Sequence, residues 1–257
     1  MSEALATAIP RAQLVWAGRS DQGLVRKRNE DSFGLFAGGA GKTRHLLVVA
    51  DGVGGSAAGD VASRIAVAAI QMAFQAGGEN GQPGPILEAA LRGANVAVLA
   101  AAAAEPRLKT MATTCTAALL AGRRFTIAHV GDSRAYLRRR GVLRRLTCDH
   151  TVAEDFRVRG LAPAPEGAGL RQVITRCLGM SETLAVDLVT SEPLAPGDAL
   201  LLCTDGLGRC VSDEEIDEFL RVAQPAAACG LLIDLVRRRG APDNVTVAIA
   251  AIVPTRN

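Results

Sequence analysis

The sequence predicts an α+β fold, on three observations. Short apolar runs of strand length recur along the chain. Two alanine-rich stretches carry helical spacing. The two kinds of segment come in blocks rather than in strict alternation. Blocks of strands and helices favour antiparallel sheets covered by helices over the βαβ repeat of a parallel sheet. Composition agrees: 49% of the 257 residues are hydrophobic and only 3% aromatic, so the core is built from Ala, Val, Leu and Ile.

Residues 1–12 read as a loose lead-in and 13–254 as a single domain, because no internal repeat and no linker divides them. Gln13 to Ala17 alternate as a strand does. The stretch SDQGLVRKRNEDSF that follows is polar and densely charged. Leu46 to Ala50 is short, apolar and partly β-branched, a strand. Ala57 to Ala76 reads as a helix, with Val61, Ile65, Ala68 and Met72 at helical spacing. The breaker cluster GGENGQPGP separates it from a second helix, Ile86 to Ala104.

The periodicity then shortens. Thr113 to Leu120, Arg124 to Val130, Arg134 to Arg140 and Leu143 to Leu146 read as consecutive antiparallel strands, separated by AGR, GDS and glycine turn signals. Residues 149–182 read as an irregular flap with a small helix and the Pro/Gly-rich centre LAPAPEGAG. Ala199 to Cys203 is a buried strand. Asp213 to Leu220 is a short helix capped by Ser212, Ala226 to Arg239 a further helix, and Val245 to Val253 the closing strand.

Charge and cysteine usage narrow the function classes. A net charge of +3 with 21% charged residues is too mild for a nucleic-acid binder. Arg138, Arg139, Arg140, Arg144 and Arg145 around Gly141 read as a hairpin turn with solvated arginines. The six cysteines show no CxxC spacing and several lie in apolar runs, which suits reduced core thiols and a cytoplasmic address. No signal peptide is expected, and no stretch reads as long and apolar enough to span a bilayer.

The chemistry sits in acidic residues at strand ends. LLVVADG drives an apolar run into Asp51, and LLLCTDG repeats the pattern at Asp205. APDNVTV places Asp243 just before an apolar strand, HVGDSRAY places Asp132 in a tight turn, and RKRNEDSF adds Glu30 and Asp31. A carboxylate at the end of a buried strand is costly unless paired or bound to a cation. Hard divalent cations prefer such oxygen ligands, and an oxygen-only set favours Mg²⁺ or Mn²⁺ over zinc. His45, His129 and His150 show no metal-ligand spacing. Each Asp-Gly alone is equally a turn, so the spacing leaves open both a set of turns and a magnesium-type site. GVGG lacks the GK[ST] ending of a phosphate-binding P-loop.

The ordered set SDQGLVRKRNEDS, ADGVGG with AAGDVAS, TTCTAALL, HVGDSRAYL, LTCDHT, LLCTDGL and DNVTV resembles the metal-dependent Ser/Thr protein phosphatases of the type 2C (PPM) family, in their bacterial form. The match spans about residues 13–253. The resemblance implies a four-layer α-β-β-α sandwich, two antiparallel sheets flanked by helix pairs. It implies two Mg²⁺ or Mn²⁺ ions per site. Asp51 would bridge them, Gly52 would give its carbonyl to the first, and Asp205 and Asp243 would bind the second. Glu30 and Asp31 would hold waters, Asp132 with Asp205 would take a third metal, and Arg26 would grip the phosphate. A metal-activated water would then attack phosphoserine or phosphothreonine without a phosphoenzyme. The expected partners are phosphorylated proteins and a cognate Ser/Thr kinase; the chain is expected to be monomeric and to bind neither membrane nor nucleic acid.

Three departures from the family pattern stand out. Val53 replaces the His that follows Asp-Gly in eukaryotic members, so the general acid is unassigned. Ala112 stands where a Gly usually precedes the paired Thr. The flap keeps DHT and RQVITRCLG but lacks the common His-Pro. A phosphatase acting in a regulatory or secretion pathway and a silent phosphoprotein-binding scaffold are the alternatives. Retention of Asp51, Asp205 and Asp243 argues against the scaffold.

Overall fold

The computed structural model describes residues 12–38, 43–53, 58–77, 81–162, 173–190 and 193–254. Among the described residues, eleven strands form two antiparallel sheets. The first sheet has the order β1-β11-β10-β7-β8, from strands Ala12–Asp21, Val245–Pro254, Ala199–Cys203, Arg134–Arg139 and Val142–Arg145. The second runs β2-β3-β5-β6-β9, from Asp31–Gly38, Arg44–Val53, Cys115–Ala121, Arg124–Val130 and Asp187–Thr190, with the short β4 (Ala112–Thr113) beside β3.

The sheets face each other across an aliphatic layer that includes Leu47, Val49, Leu120, Ile127, Leu200, Leu202 and Ala250. Helices α1 (Gly59–Ala76) and α2 (Pro83–Ala104) cover the outer face of the second sheet through Ile70, Leu87, Leu91 and Val98. Helices α5 (Asp213–Val222) and α6 (Pro225–Arg238) cover the first through Ile216, Leu232, Ile233 and Val236. These are the expected four layers.

Double coverage explains the unbroken apolar runs. On β3, Leu46, Val48 and Ala50 face the helices while Leu47 and Val49 face the other sheet. On β10, Leu201 and Cys203 face outward and Leu200 and Leu202 inward. A strand covered on both faces has no reason to alternate.

Several expectations change. Residues 134–145 do form the β7–β8 hairpin, turning on Arg140 and Gly141, both at positive φ (53° and 79°), the pair that a type I′ turn requires. Its arginines are not simply solvated: Arg138 pairs with Asp217 at 2.9 Å and Arg139 with Asp198 at 2.7 Å. The GDS turn is no hairpin. β6 and β7 lie in different sheets, so residues 131–133 carry the chain from one sheet to the other. Strands β2 and β9 were hidden, β2 because its start lies in the charged stretch. Helix α2 is long and apolar enough to cross a membrane by length and composition, contrary to the sequence expectation. Its buried face, with Leu87, Leu91, Ala94 and Val98, packs into the helix–sheet core.

Within the expected flap, α3 (Val152–Val158) is capped by Thr151, and bridges join Thr151 to Ile174 and Thr113 to Leu178. The Pro/Gly-rich centre, residues 163–172, lies outside the described residues, as does most of the 1–12 lead-in. All six cysteines are free; Cys115, Cys177, Cys203 and Cys229 are buried, while Cys148 and Cys210 are half-buried.

Candidate metal centre

The acidic residues meet at the end of the sandwich where the chain crosses between sheets. A cavity of about 240 Å³ is lined by Arg26, Glu30, Asp51, Gly52, Val53, Asp132, Ile174, Asp205, Arg209 and Asp243. Asp51 is near the end of β3, and Asp31, at the start of β2, is its cross-strand partner. Asp205 follows β10 after Thr204 alone, as the first residue of the short helix α4 (Asp205–Gly208) rather than of a simple turn. Asp243 precedes β11, and Asp132 lies in the sheet-crossing turn. Two sheets thus supply the carboxylates, and the fold brings together every acidic residue that the sequence singled out.

Backbone bonds aim Asp51. Its N–H donates to Thr114 Oγ1 at 3.0 Å, and its carbonyl accepts from Thr114 N–H and Thr113 Oγ1, both at 2.9 Å. Thr114 Oγ1 is bonded in turn to Ser133 Oγ at 2.8 Å, which ties β3 to the turn holding Asp132. The glycines are steric requirements. A Cβ on Gly52 would lie 2.4 Å from the Gly59 backbone, and one on Gly206 would lie 2.0 Å from the Asn244 carbonyl oxygen. Bare backbone lets α1 and α4 approach the site this closely.

Asn244 is a site residue the sequence reading missed. Its side chain accepts from Glu30 N–H at 2.9 Å and donates to the carbonyls of Gln22 and Arg28 at 2.7 and 2.8 Å. It therefore pins the loop that carries Arg26 and Glu30. The signal was present: an amide beside Asp243, ahead of a buried strand, has to satisfy four hydrogen-bonding positions. Asp60 and Arg209 were missed too. Arg209 follows Asp205 at the i,i+4 spacing that pairs charges on a helix face.

Electrostatics mark the site as strained. Burial pushes the Asp51 carboxyl well above the usual carboxylate range, reinforced by Asp31, Asp205, Asp132 and Asp243. Burial raises Asp31 to about 7, against the opposing hydrogen bonds from Thr246 and Thr204. Asp132 also rises to about 7, from burial and then the charge of Asp205, and Glu30 rises chiefly from burial. Such clustering of raised carboxylates points to a functional site.

The residues fit a hard cation. One oxygen each of Asp31, Asp60, Asp132 and Asp205 is buried with no hydrogen-bond partner. Buried carboxylate oxygens left this way are costly, and divalent cations are their natural complement. Among the described residues, no three acidic, His or Cys side chains already close into a ligand cage. Two guanidinium groups stand among the carboxylates instead. Arg26 donates to Asp243 at 2.8 Å, and Arg209 donates twice to Asp205, at 2.9 and 2.5 Å.

Two of the histidines do structural work. His129 is bonded to Thr116 Oγ1 and donates from Nε2 to the Cys148 carbonyl at 3.0 Å. His150 accepts from Gly131 N–H through Nδ1 at 2.9 Å, leaving Nε2 to donate to Asp187 at 3.1 Å. Their rings lie 4.7 Å apart. Both bonds hold the sheet-crossing turn and the Thr147–Thr151 segment together.

Comparison with known proteins identifies the family and the fold. The family model described as protein phosphatase 2C matches residues 25–231. The serine/threonine protein phosphatase PstP of Mycobacterium tuberculosis is 42% identical over 246 residues, 93% of this chain; the chain spans less than half of that relative, 45% of its length. The serine/threonine phosphatase stp of Listeria monocytogenes is 32% identical over 90% of this chain and 93% of its own length. Among solved structures, the PstP catalytic domain in complex with two manganese ions aligns over 95% of this chain and all of its own, with 41% identity and a TM-score of 0.81. The chain belongs to the protein phosphatase 2C family.

Proposed function

We propose that this chain hydrolyses phosphoserine and phosphothreonine on proteins, with two Mn²⁺ or Mg²⁺ ions per site. The observation that carries this reading is the convergence of Asp51, Asp132, Asp205 and Asp243 from both sheets on one cavity. The PstP catalytic domain binding two manganese ions supports it. Asp51 and the Gly52 carbonyl would hold the first ion, Asp51, Asp205 and Asp243 the second, and Asp132 with Asp205 a third. When bound, the ions lower the pKa of a shared water and offset phosphate charge.

The remaining steps belong to the protein. Glu30 lines the cavity and orients solvent. Asp31 lies behind Asp51, accepting from Thr204 at 2.9 Å and Thr246 at 2.7 Å, so it sets the charge and position of Asp51 rather than touching substrate. Arg26, its side chain 47% exposed, turns its planar fork from Asp243 to two phosphate oxygens. Val53 lines the cavity and has no proton to give, so the leaving oxygen takes its proton from solvent.

The reading extends to bacterial signalling opposite a cognate Ser/Thr kinase, supported by relatives that are bacterial serine/threonine phosphatases, and to a cytoplasmic monomer, for which six free thiols support only the reducing compartment. The test is Mn²⁺-dependent hydrolysis of p-nitrophenyl phosphate and of a phosphothreonine peptide. Asp205→Ala should abolish turnover and weaken Mn²⁺ binding while the fold survives. Arg26→Ala should raise KM for the peptide more than it changes Mn²⁺ affinity. Wild-type turnover in Asp205→Ala refutes the reading.

A further inference from the structure

We propose that Arg209 is a built-in counter-cation of the second metal position: it holds Asp205 and Asp243 in place and competes with the ion for them. This inference rests on the metal-dependent reading above. The geometry is specific. Arg209 Nε and Nη2 both reach Asp205 Oδ2, at 2.9 and 2.5 Å, and Nη2 lies 3.8 Å from Asp243 Oδ2. One guanidinium thus spans two carboxylates set at the same end of the neighbouring strands β10 and β11. The other oxygen of Asp205 is buried and unpartnered.

The spacing that places it there is local. Asp205 opens α4 and Arg209 follows its last residue, so the i,i+4 relation aims the guanidinium back over the carboxylate. The pair needs no rearrangement of the backbone to form or to part. Two carboxylates facing one cavity repel unless a positive charge stands between them, and a divalent ion there would meet a guanidinium already engaged with the same oxygen. An ion taking the unpartnered Asp205 Oδ1 would still meet the guanidinium charge held on Oδ2 of the same carboxylate, so it binds best when Arg209 swings aside.

There is room for the swing. Arg209 also lines an adjoining cavity of about 390 Å³, which shares Asp132 and Asp205 with the first. The other arginines of that cavity are already engaged: Arg134 with Asp149 at 2.6 Å, and Arg145 and Arg157 with Glu154 at 3.2 and 2.7 Å. A displaced Arg209 would find Asp149 and Glu154 taken, so parting from Asp205 is not repaid by a second carboxylate. The competition therefore weakens the ion's hold.

The experiment is calorimetric titration of Mn²⁺ into the metal-stripped full chain. Arg209→Gln should tighten the weaker Mn²⁺ step about tenfold, the effect of a largely screened unit charge a few ångströms from a divalent ion. Arg209→Lys keeps the charge and should stay within about threefold of wild type, a distinction that a purely structural role would not produce. The same variants should differ in sequence in the metal-stripped state: Arg209→Gln should melt lower than Arg209→Lys, because the carboxylates lose their counter-charge. An unchanged or weakened Mn²⁺ step in a folded Arg209→Gln overturns the proposal. Asp205→Asn in the same titration separates the two readings: if it keeps wild-type Mn²⁺ binding, the metal assignment itself fails, whereas loss of that step with an unaffected Arg209→Gln defeats only the role of Arg209.

Discussion

Asp31 and Asp51 face each other across the β2–β3 ladder as register partners. Both carboxyls are raised chiefly by burial, and the Asp31 charge pushes Asp51 up further. The fold therefore stores repulsion at the candidate metal centre. Asp31→Asn should relieve it: at pH 8 in EDTA the variant should melt about 2–4 °C higher, the shift about 1 kcal/mol produces in a chain of this size. Turnover and the stabilisation by Mn²⁺ should both fall. A lower melting temperature in EDTA would show that the hydrogen bonds from Thr204 and Thr246 outweigh the repulsion.

The same repulsion has a pH signature. Asp31 and Asp132 have folded values of about 7, above the ordinary carboxylate range. A carboxyl with a raised folded pKa favours the folded state below its unfolded value near 4, and that advantage disappears as pH rises through about 7. The gain in melting temperature of Asp132→Asn over wild type in EDTA should thus be small near pH 4.5 and larger at pH 8. A gain independent of pH contradicts the raised value.

His129 moves the opposite way. Burial lowers it to about 3, with His150 adding to the shift. A depressed imidazole contributes stability that is intact above about 6.5 and is lost as pH falls toward about 3. The ring proton shifts of His129 in an NMR titration should stay flat from pH 8 to pH 5. A midpoint near 6.5 would mean that the ring is exposed.

Asn244→Ala removes three hydrogen bonds that fix residues 22–30, costing about 3 kcal/mol at about 1 kcal/mol each. Because that loop carries Arg26 and Glu30, KM for a phosphopeptide should rise in parallel with the loss measured by urea denaturation. Unchanged KM in a destabilised protein would confine Asn244 to folding.

Gly206→Ala places a methyl 2.0 Å from the Asn244 carbonyl oxygen, which is backbone and cannot rotate away. Destabilisation of about 3 kcal/mol or more is expected, with weaker Mn²⁺ binding because Asp205 shifts with the helix start. Calorimetry of thermal unfolding with and without Mn²⁺ checks both.

Much of this was legible in the chain. Leu46 to Ala50 and Ala199 to Cys203 announced themselves because burial on both faces demands unbroken apolar runs. Asp51, Asp205 and Asp243 followed, since each abuts such a run. Ser212 capped α5 as expected, with Glu215 completing the reciprocal box. β2 was hidden because Glu30 just before it and Asp31 at its first position belong to the site and polarise its start. The sheet crossing at Gly131–Ser133 was read as a hairpin because turn chemistry states that the chain reverses, not which sheet it enters next. Asn244 escaped because its partners, Gln22, Arg28 and Glu30, are distant in sequence, whereas the i,i+4 spacing of Asp205 and Arg209 was a local signal that went unread.

The division of the acidic cluster between opposite sheets has a mechanical corollary. The distance from Asp51 to Asp205 is governed by the thickness of the aliphatic filling between the layers, where Leu47 and Val49 face Leu200 and Leu202. That filling acts as a shim: trimming or enlarging it resets the jaw opening between the two acidic groups from a long way off, without altering any residue that lines the candidate metal centre.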